Sequence, residues 1–365
     1  MPEPAFATLP HGARSLADLL AGLAGALGGL GPPWAGVALE PMRDKGLAHD
    51  HVRLLGTGAI ARIPKQSQMN LPAAENLAYQ AACFRRAAPS GHAPLLRAIM
   101  LPSAALPHGG LIVEEIAGGI VRLPEDLPAI ATALARIHGL ALPPPDARAP
   151  LLDAADPLSA LLEEIEGQAE HLDGAQLTPR PRALVEAELD RLRGLCARPD
   201  RPERRLVSFD AHPGNFIRRP DGTAVLVDLE KARYSHPSLD LAHATLYTST
   251  TWDVDSRAVL TIAEIVAAYA AWAAAFGPGA AGMARWHVPL RRAMWLWSVT
   301  WCAKWRVLSG ARPKGSADGE DWSEAGSDPA LIAHVRDRVD HYLSHAVIAR
   351  IVAEFAVLDG RLGGA

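Results

Sequence analysis

The residues best equipped for chemistry lie close together in the chain: Asp210, then His212-Pro213-Gly214-Asn215, and, beyond a turn-rich interval, Asp228 and Glu230. Carboxylates and a side-chain amide at fixed offsets on adjacent loops supply the hard oxygen ligands that Mg²⁺ requires. Such a set suits phosphoryl transfer, which is catalysed mainly by positioning and by cations that neutralise developing charge. Asn215 and Asp228 can ligate the metal, while Asp210, five residues before Asn215 on the same loop, can orient a hydroxyl and take its proton. His212, Pro213 and Gly214 would shape that loop. Any one of these residues alone reads as an ordinary turn or cap residue. Asp210, Asn215, Asp228 and Asp240 in this order, with His-Pro-Gly between the first two, read as a site.

The elements that must position them follow from periodicity. Apolar runs at 206–209 and 224–229 flank a segment carrying Pro220, Asp221 and Gly222, so the site residues sit on strand ends and turns. Residues 37–118 are short-period, with strands expected at 52–55, 59–63 and 111–113 and one amphipathic helix at 73–88. Beyond Gly118 the pattern lengthens into helices at 127–140, 158–172, 182–196, 259–276 and 289–308. The expected class is α+β, with segments 1–36 (a leader helix), 37–118 and 119–365. In the leader, Leu19, Leu20, Leu23 and Leu27 form one stripe that can cover an apolar patch of the body or of a partner. Residues 315–327 are acidic, rich in Gly and Ser, and expected to form a mobile loop.

Composition narrows the partners. A net charge of −4 leaves no basic surplus for nucleic acid. Asp18 interrupts the apolar leader, so no membrane span is expected. Three scattered cysteines, Cys83, Cys196 and Cys302, fit neither a disulfide framework nor a zinc site and point to a reducing cytoplasm. Oligomeric state is open.

The run Asp210-x-His-Pro-Gly-Asn215, followed by a strand and Val-Asp228-Leu-Glu230, resembles the catalytic motif of the aminoglycoside phosphotransferase and choline kinase superfamily. The resemblance implies a two-lobed protein-kinase-like fold, with a small antiparallel-sheet N-lobe that binds nucleotide and a larger, mainly helical C-lobe. It also implies ATP and Mg²⁺ as cofactors and a small-molecule hydroxyl as acceptor. Where the family has His-Gly-Asp, this chain has Ser208-Phe209-Asp210. Tyr234, Pro237 and Asp240-Leu-Ala resemble the family segment whose Asp steadies the catalytic loop, a structural-support role shared with His212.

For the nucleotide, Lys45-Gly46-Leu-Ala-His-Asp resembles the family's glycine turn. Arg62 stands where a phosphate-binding cation is expected, with Lys65 as the rival; a regular strand cannot present both to one side. Glu75 opens the following helix and can pair with the chosen cation, or simply face the helix dipole. Glu114, Glu115 and Ile116 resemble the adenine-binding hinge, and the 127–140 helix resembles the one that opens the helical lobe, with His138 a buried core residue.

On the acceptor side Glu230, Trp297 and Trp301 are candidates. Trp297, Trp301 and Trp305 fall on one helical stripe that can be core or a cation-π box for an amine. Met294-Trp-Leu-Trp297-Ser resembles a choline kinase stretch, which favours a choline- or ethanolamine-like acceptor; Asp318, Glu320, Asp321, Glu324 and Asp328 leave an aminoglycoside as the second reading. A nucleotide-binding scaffold without catalysis is the reading of another class.

Overall fold

The structure is a computed structural model that describes residues 15–43, 48–310 and 329–362. Gly46 with its turn, and the acidic stretch from 315 to 327 together with Asp328, lie outside the described residues.

The elements run α1 (Leu16–Leu30), β1 (Leu39–Pro41), β2 (His49–Leu54), β3 (Ala59–Pro64), α2 (Ala73–Ala87), β4 (Leu96–Met100), β5 (Gly110–Glu114), β6 (Gly119–Ile120), α3 (Leu127–His138), α4 (Pro157–Ala169) and α5 (Pro179–Cys196). There follow β7 (Arg205–Val207), β8 (Phe216–Arg218), β9 (Ala224–Leu226), β10 (Arg233–Ser235), α6 (Pro237–Thr245), α7 (Tyr247–Thr250), α8 (Ile262–Phe276), α9 (Ala280–Met283), α10 (His287–Leu308), α11 (Pro329–Tyr342) and α12 (His345–Leu362). The class is α+β, as the sequence implied. The chain divides into two compact units, one of residues 1–77, 97–113 and 308–335 and the other of the remainder.

The first unit is built on a sheet of order β1-β2-β3-β5-β4. Its β2–β3 pairing is antiparallel and sets His51 opposite Arg62 and Asp50 opposite Ile63. The leader forms α1, capped by Ser15, and buries Leu19, Leu23 and Leu27 against Val52, Leu54, Ala61, Ile63 and Ile112. Its stripe therefore covers this chain's own sheet. Gly22 permits the approach, because a Cβ there would lie 2.4 Å from the Ala105 carbonyl oxygen. Leu23 is fully buried. Leu23→Ala is expected to cost about 2–5 kcal/mol, read as a lowered urea midpoint.

The second unit carries the helices and two small sheets, β6-β8-β9 and β10-β7. Proline opens α4, α5 and α6 near the first turn, where its missing N–H costs nothing. Inside this unit Arg291 of α10, fully buried, reaches the Thr245 hydroxyl at 2.7 Å, the Thr245 carbonyl at 3.1 Å and Glu354 at 2.7 Å. It ties α6 and α12 to α10. Among the described residues no helix is long and apolar enough to cross a membrane.

Candidate functional site

The site grows from the turn after β7. Ser208 and Phe209 donate their backbone N–H groups to Asp240 Oδ2 and Oδ1 at 2.7 and 2.8 Å, so one buried carboxylate of α6 grips two successive peptides. His138 Nε2 lies 3.0 Å from Asp240 Oδ2, and Trp272 Nε1 donates to His138 Nδ1 at 3.0 Å. An indole N–H can only donate, so His138 carries its proton on Nε2 and donates it to Asp240. The core histidine expected from sequence is thus the link between α8 and the loop support.

Phe209 takes the left-handed backbone conformation, φ +59°. A side chain there is costly, about 1–3 kcal/mol, and persists only where its surroundings fix it. Asp240 holds its N–H, and the Arg233 guanidinium covers its ring at 3.8 Å. The Gly usual at this point of the family motif would adopt the same turn freely.

Beyond Phe209 the Asp210 N–H is held by Ser208 Oγ at 3.2 Å, and Asn215 Nδ2 donates to the Asp210 carbonyl at 2.8 Å. With its amide nitrogen so engaged, the oxygen of Asn215 is the atom left for a cation. Val227 N–H bonds the Asn215 carbonyl at 2.9 Å, bringing Asp228 beside the loop. Gly214 is required here: an added Cβ would stand 2.7 Å from Asp253 Oδ2. His212 accepts the Asn215 N–H through its carbonyl, and its Nδ1 is buried without a hydrogen-bond partner among the described residues.

Asp210 is not alone. Lys231 Nζ donates to Asp210 Oδ2 at 2.9 Å, and His243 Nδ1 lies 3.9 Å from Oδ1. Burial pushes the Asp210 carboxyl up, but Lys231, His212 and His243 outweigh it and hold the carboxyl below its ordinary range. Burial likewise pushes the Lys231 ammonium down, and Asp210 with Glu230 overcomes this and holds it raised. Lys231 was not singled out in the sequence, although it directly follows Glu230 in the Val-Asp-Leu-Glu run; only the fold returns it to a residue 21 positions earlier.

Burial holds His236, His243 and His287 near pKa 4, against an ordinary 6.5. Each is neutral when folded and protonates more readily when unfolded. Their contribution to stability is complete above about pH 6.5 and falls as pH drops towards 4. A melting temperature that declines steadily from pH 7 to pH 5 is expected; a flat profile would contradict this assignment.

On the acceptor side Trp297 is buried, with Nε1 donating to Glu164 at 2.6 Å and its ring edge-on to Phe209 at 5.4 Å. Trp301 is half-buried and meets Trp252 edge-on at 5.9 Å. Trp305 is core. Glu230 is buried beside Asp228 in sequence.

For the nucleotide candidates, β3 sends Ala61 and Ile63 to the α1 core and therefore Arg62, itself buried, to the opposite face. Lys65 lies 3.5 Å from Asp50. Glu75 is exposed in the first turn of α2 and forms no ion pair among the described residues, so of its two readings the one at the helix dipole holds and the pairing with Arg62 does not. Asn76, Leu77 and Gln80 take the inward phase of α2, which turns Glu75 outward. The Glu114 carboxylate is spent on Leu95 N–H at 3.1 Å and Arg219 at 3.5 Å. Ile116 is buried; Gly118 is indispensable, since a Cβ would sit 2.3 Å from the Arg218 carbonyl oxygen.

Among solved structures, the chain is similar to a choline/ethanolamine kinase family protein from Mesorhizobium loti, with 18% identity and TM-score 0.55, covering 93% of this chain and 99% of that one. It is also similar to the GDP complex of aminoglycoside 2'-phosphotransferase-IIIa, with 15% identity and TM-score 0.58, covering 90% and 97%. An ethanolamine kinase from Plasmodium vivax matches at 12% identity and TM-score 0.55, covering 86% and 84%. Likeness at these identities is likeness of fold, and the fold is protein-kinase-like. No curated protein matches the sequence significantly. The model of the phosphotransferase enzyme family, APH, matches residues 41–286, two-thirds of the chain and every loop of the site just described, and the protein belongs to that family.

Proposed function

We propose that the protein transfers the γ-phosphoryl group of ATP to a hydroxyl of a small molecule. The observation that carries this reading is the loop clamped by Asp240, which presents Asp210 and Asn215 from one turn with Asp228 on the neighbouring strand end. The oxygen of Asn215 and the carboxylate of Asp228 fit a magnesium ion, whose contribution when bound is to neutralise phosphate charge. Asp210 orients the acceptor hydroxyl. Its Oδ2 is held by Lys231, so Oδ1 takes the proton as the acceptor oxygen bonds to phosphorus and the bond to the departing ADP oxygen breaks.

Arg62 is our choice for the phosphate-binding cation over Lys65, because it is buried on the face away from α1. Gly46 and the main chain at Glu114, Glu115 and Ile116 complete the proposed nucleotide contacts. Resemblance alone points to an amino alcohol of the choline or ethanolamine kind, with an aminoglycoside second. The test is Mg²⁺-dependent release of ADP from ATP across choline, ethanolamine, thiamine, amino sugars and aminoglycosides, extended to sugars, polyols and hydroxy acids. Stimulation by one acceptor supports the reading. Tight nucleotide binding with no ADP release from any of them supports the scaffold instead.

A further inference from the structure

A cation box on the tryptophans of α10 needs an open aromatic face. The protein places its own cation there. Lys231 Nζ stands 5.5 Å from the Trp297 ring centroid while donating to Asp210 Oδ2 at 2.9 Å, and its side chain is 13% exposed. The other sides of Trp297 are also engaged, by Glu164 at Nε1, Phe209 at 5.4 Å and His243 at 6.4 Å. Glu164 in turn accepts from Arg233 at 2.8 Å. Both carboxylates that engage this group, Asp210 and Glu164, therefore already hold a cation of the chain.

This arrangement has a consequence for the acceptor, resting on the phosphotransferase reading above. A small acceptor with its hydroxyl on Asp210 has the rest of its body close to Lys231. A second positive charge there would have to share the Trp297 face and the Asp210 carboxylate with the Lys231 ammonium that already holds both. A neutral hydroxyl compound needs no open aromatic face and no free carboxylate. We propose that the acceptor is a non-cationic hydroxyl compound, a polyol, sugar or hydroxy acid, and that Lys231 is the specificity-determining residue that excludes amines from Trp297. The charge-free box that an amine acceptor needs is thereby closed from within the chain.

The experiment uses the full-length protein and has two arms. In the first, tetramethylammonium is titrated calorimetrically into wild type, Lys231→Met and Lys231→Arg, with thermal melts to confirm folding. Lys231→Met, which keeps the length and removes the charge, is expected to bind at least tenfold more tightly than wild type, and Lys231→Arg to bind as weakly as wild type. Wild type binding as tightly as Lys231→Met overturns the inference. If Lys231→Met does not fold, Lys231→Gln takes its place with the same two outcomes.

The second arm is ADP release. Stimulation by a sugar, polyol or hydroxy acid supports the inference, and stimulation by amines alone overturns it. Silence across all acceptors counts against the phosphotransferase reading itself; the tetramethylammonium titration then decides whether Lys231 closes the aromatic site.

Discussion

On the proposed function, Asp210→Asn is expected to abolish nearly all acceptor-dependent ADP release, a fall of about 10²–10⁴-fold in kcat with little change in nucleotide affinity. The substitution keeps the size of the side chain and an oxygen for Lys231, which donates to Oδ2 at 2.9 Å. It removes the oxygen that can take a proton. Because Lys231, His212 and His243 outweigh burial and hold the Asp210 carboxyl low, wild type keeps the ionised form throughout the neutral range. Activity that depends on it is therefore present at neutral pH and is lost only as pH falls through that depressed value. Steady-state ADP release against ATP and acceptor concentration checks the prediction; an Asn variant within twofold of wild type would sink the assignment of Asp210.

The second large effect is on stability. Asp240 is fully buried and accepts from Ser208 N–H, Phe209 N–H and His138 Nε2. Asp240→Ala leaves three donors buried without an acceptor, each costing about 1–3 kcal/mol before relaxation. A loss of about 3–5 kcal/mol in urea unfolding is expected, with Asp240→Asn milder because one oxygen remains. Activity should suffer more than stability, since the same bonds hold Phe209 at φ +59° and so aim Asp210. A variant as stable as wild type would show that the clamp contributes nothing.

Much of the fold was legible because each element has a period and a punctuation of its own. The α3, α4, α5, α8 and α10 helices fall where apolar residues recur at helical steps, whereas α6, short and buried on all sides, was not expected. The candidate residues Asp210, Asn215 and Asp228 could be grouped from sequence because one turn and one strand end hold them within a short stretch, where spacing along the chain is nearly spacing in space. Glu75 was not. A carboxylate in the first turn of α2 reads the same whether it faces a cation or solvent, and the inward phase is set by what Asn76, Leu77 and Gln80 pack against.

By itself the sequence determined the α+β class, the loop that carries Asp210 and Asn215, the adjoining Asp228 and the apolar stripe of α1, since all of these are local patterns. Tertiary structure alone decided that α1 covers this chain's own sheet, that Trp272 and His138 buttress Asp240, and that Lys231 sits on both Asp210 and Trp297. The physical reason is one of range. Propensity, capping and periodicity act over a few residues, whereas the charge around a carboxylate is set by groups far apart in sequence that packing of the whole unit brings within hydrogen-bonding distance.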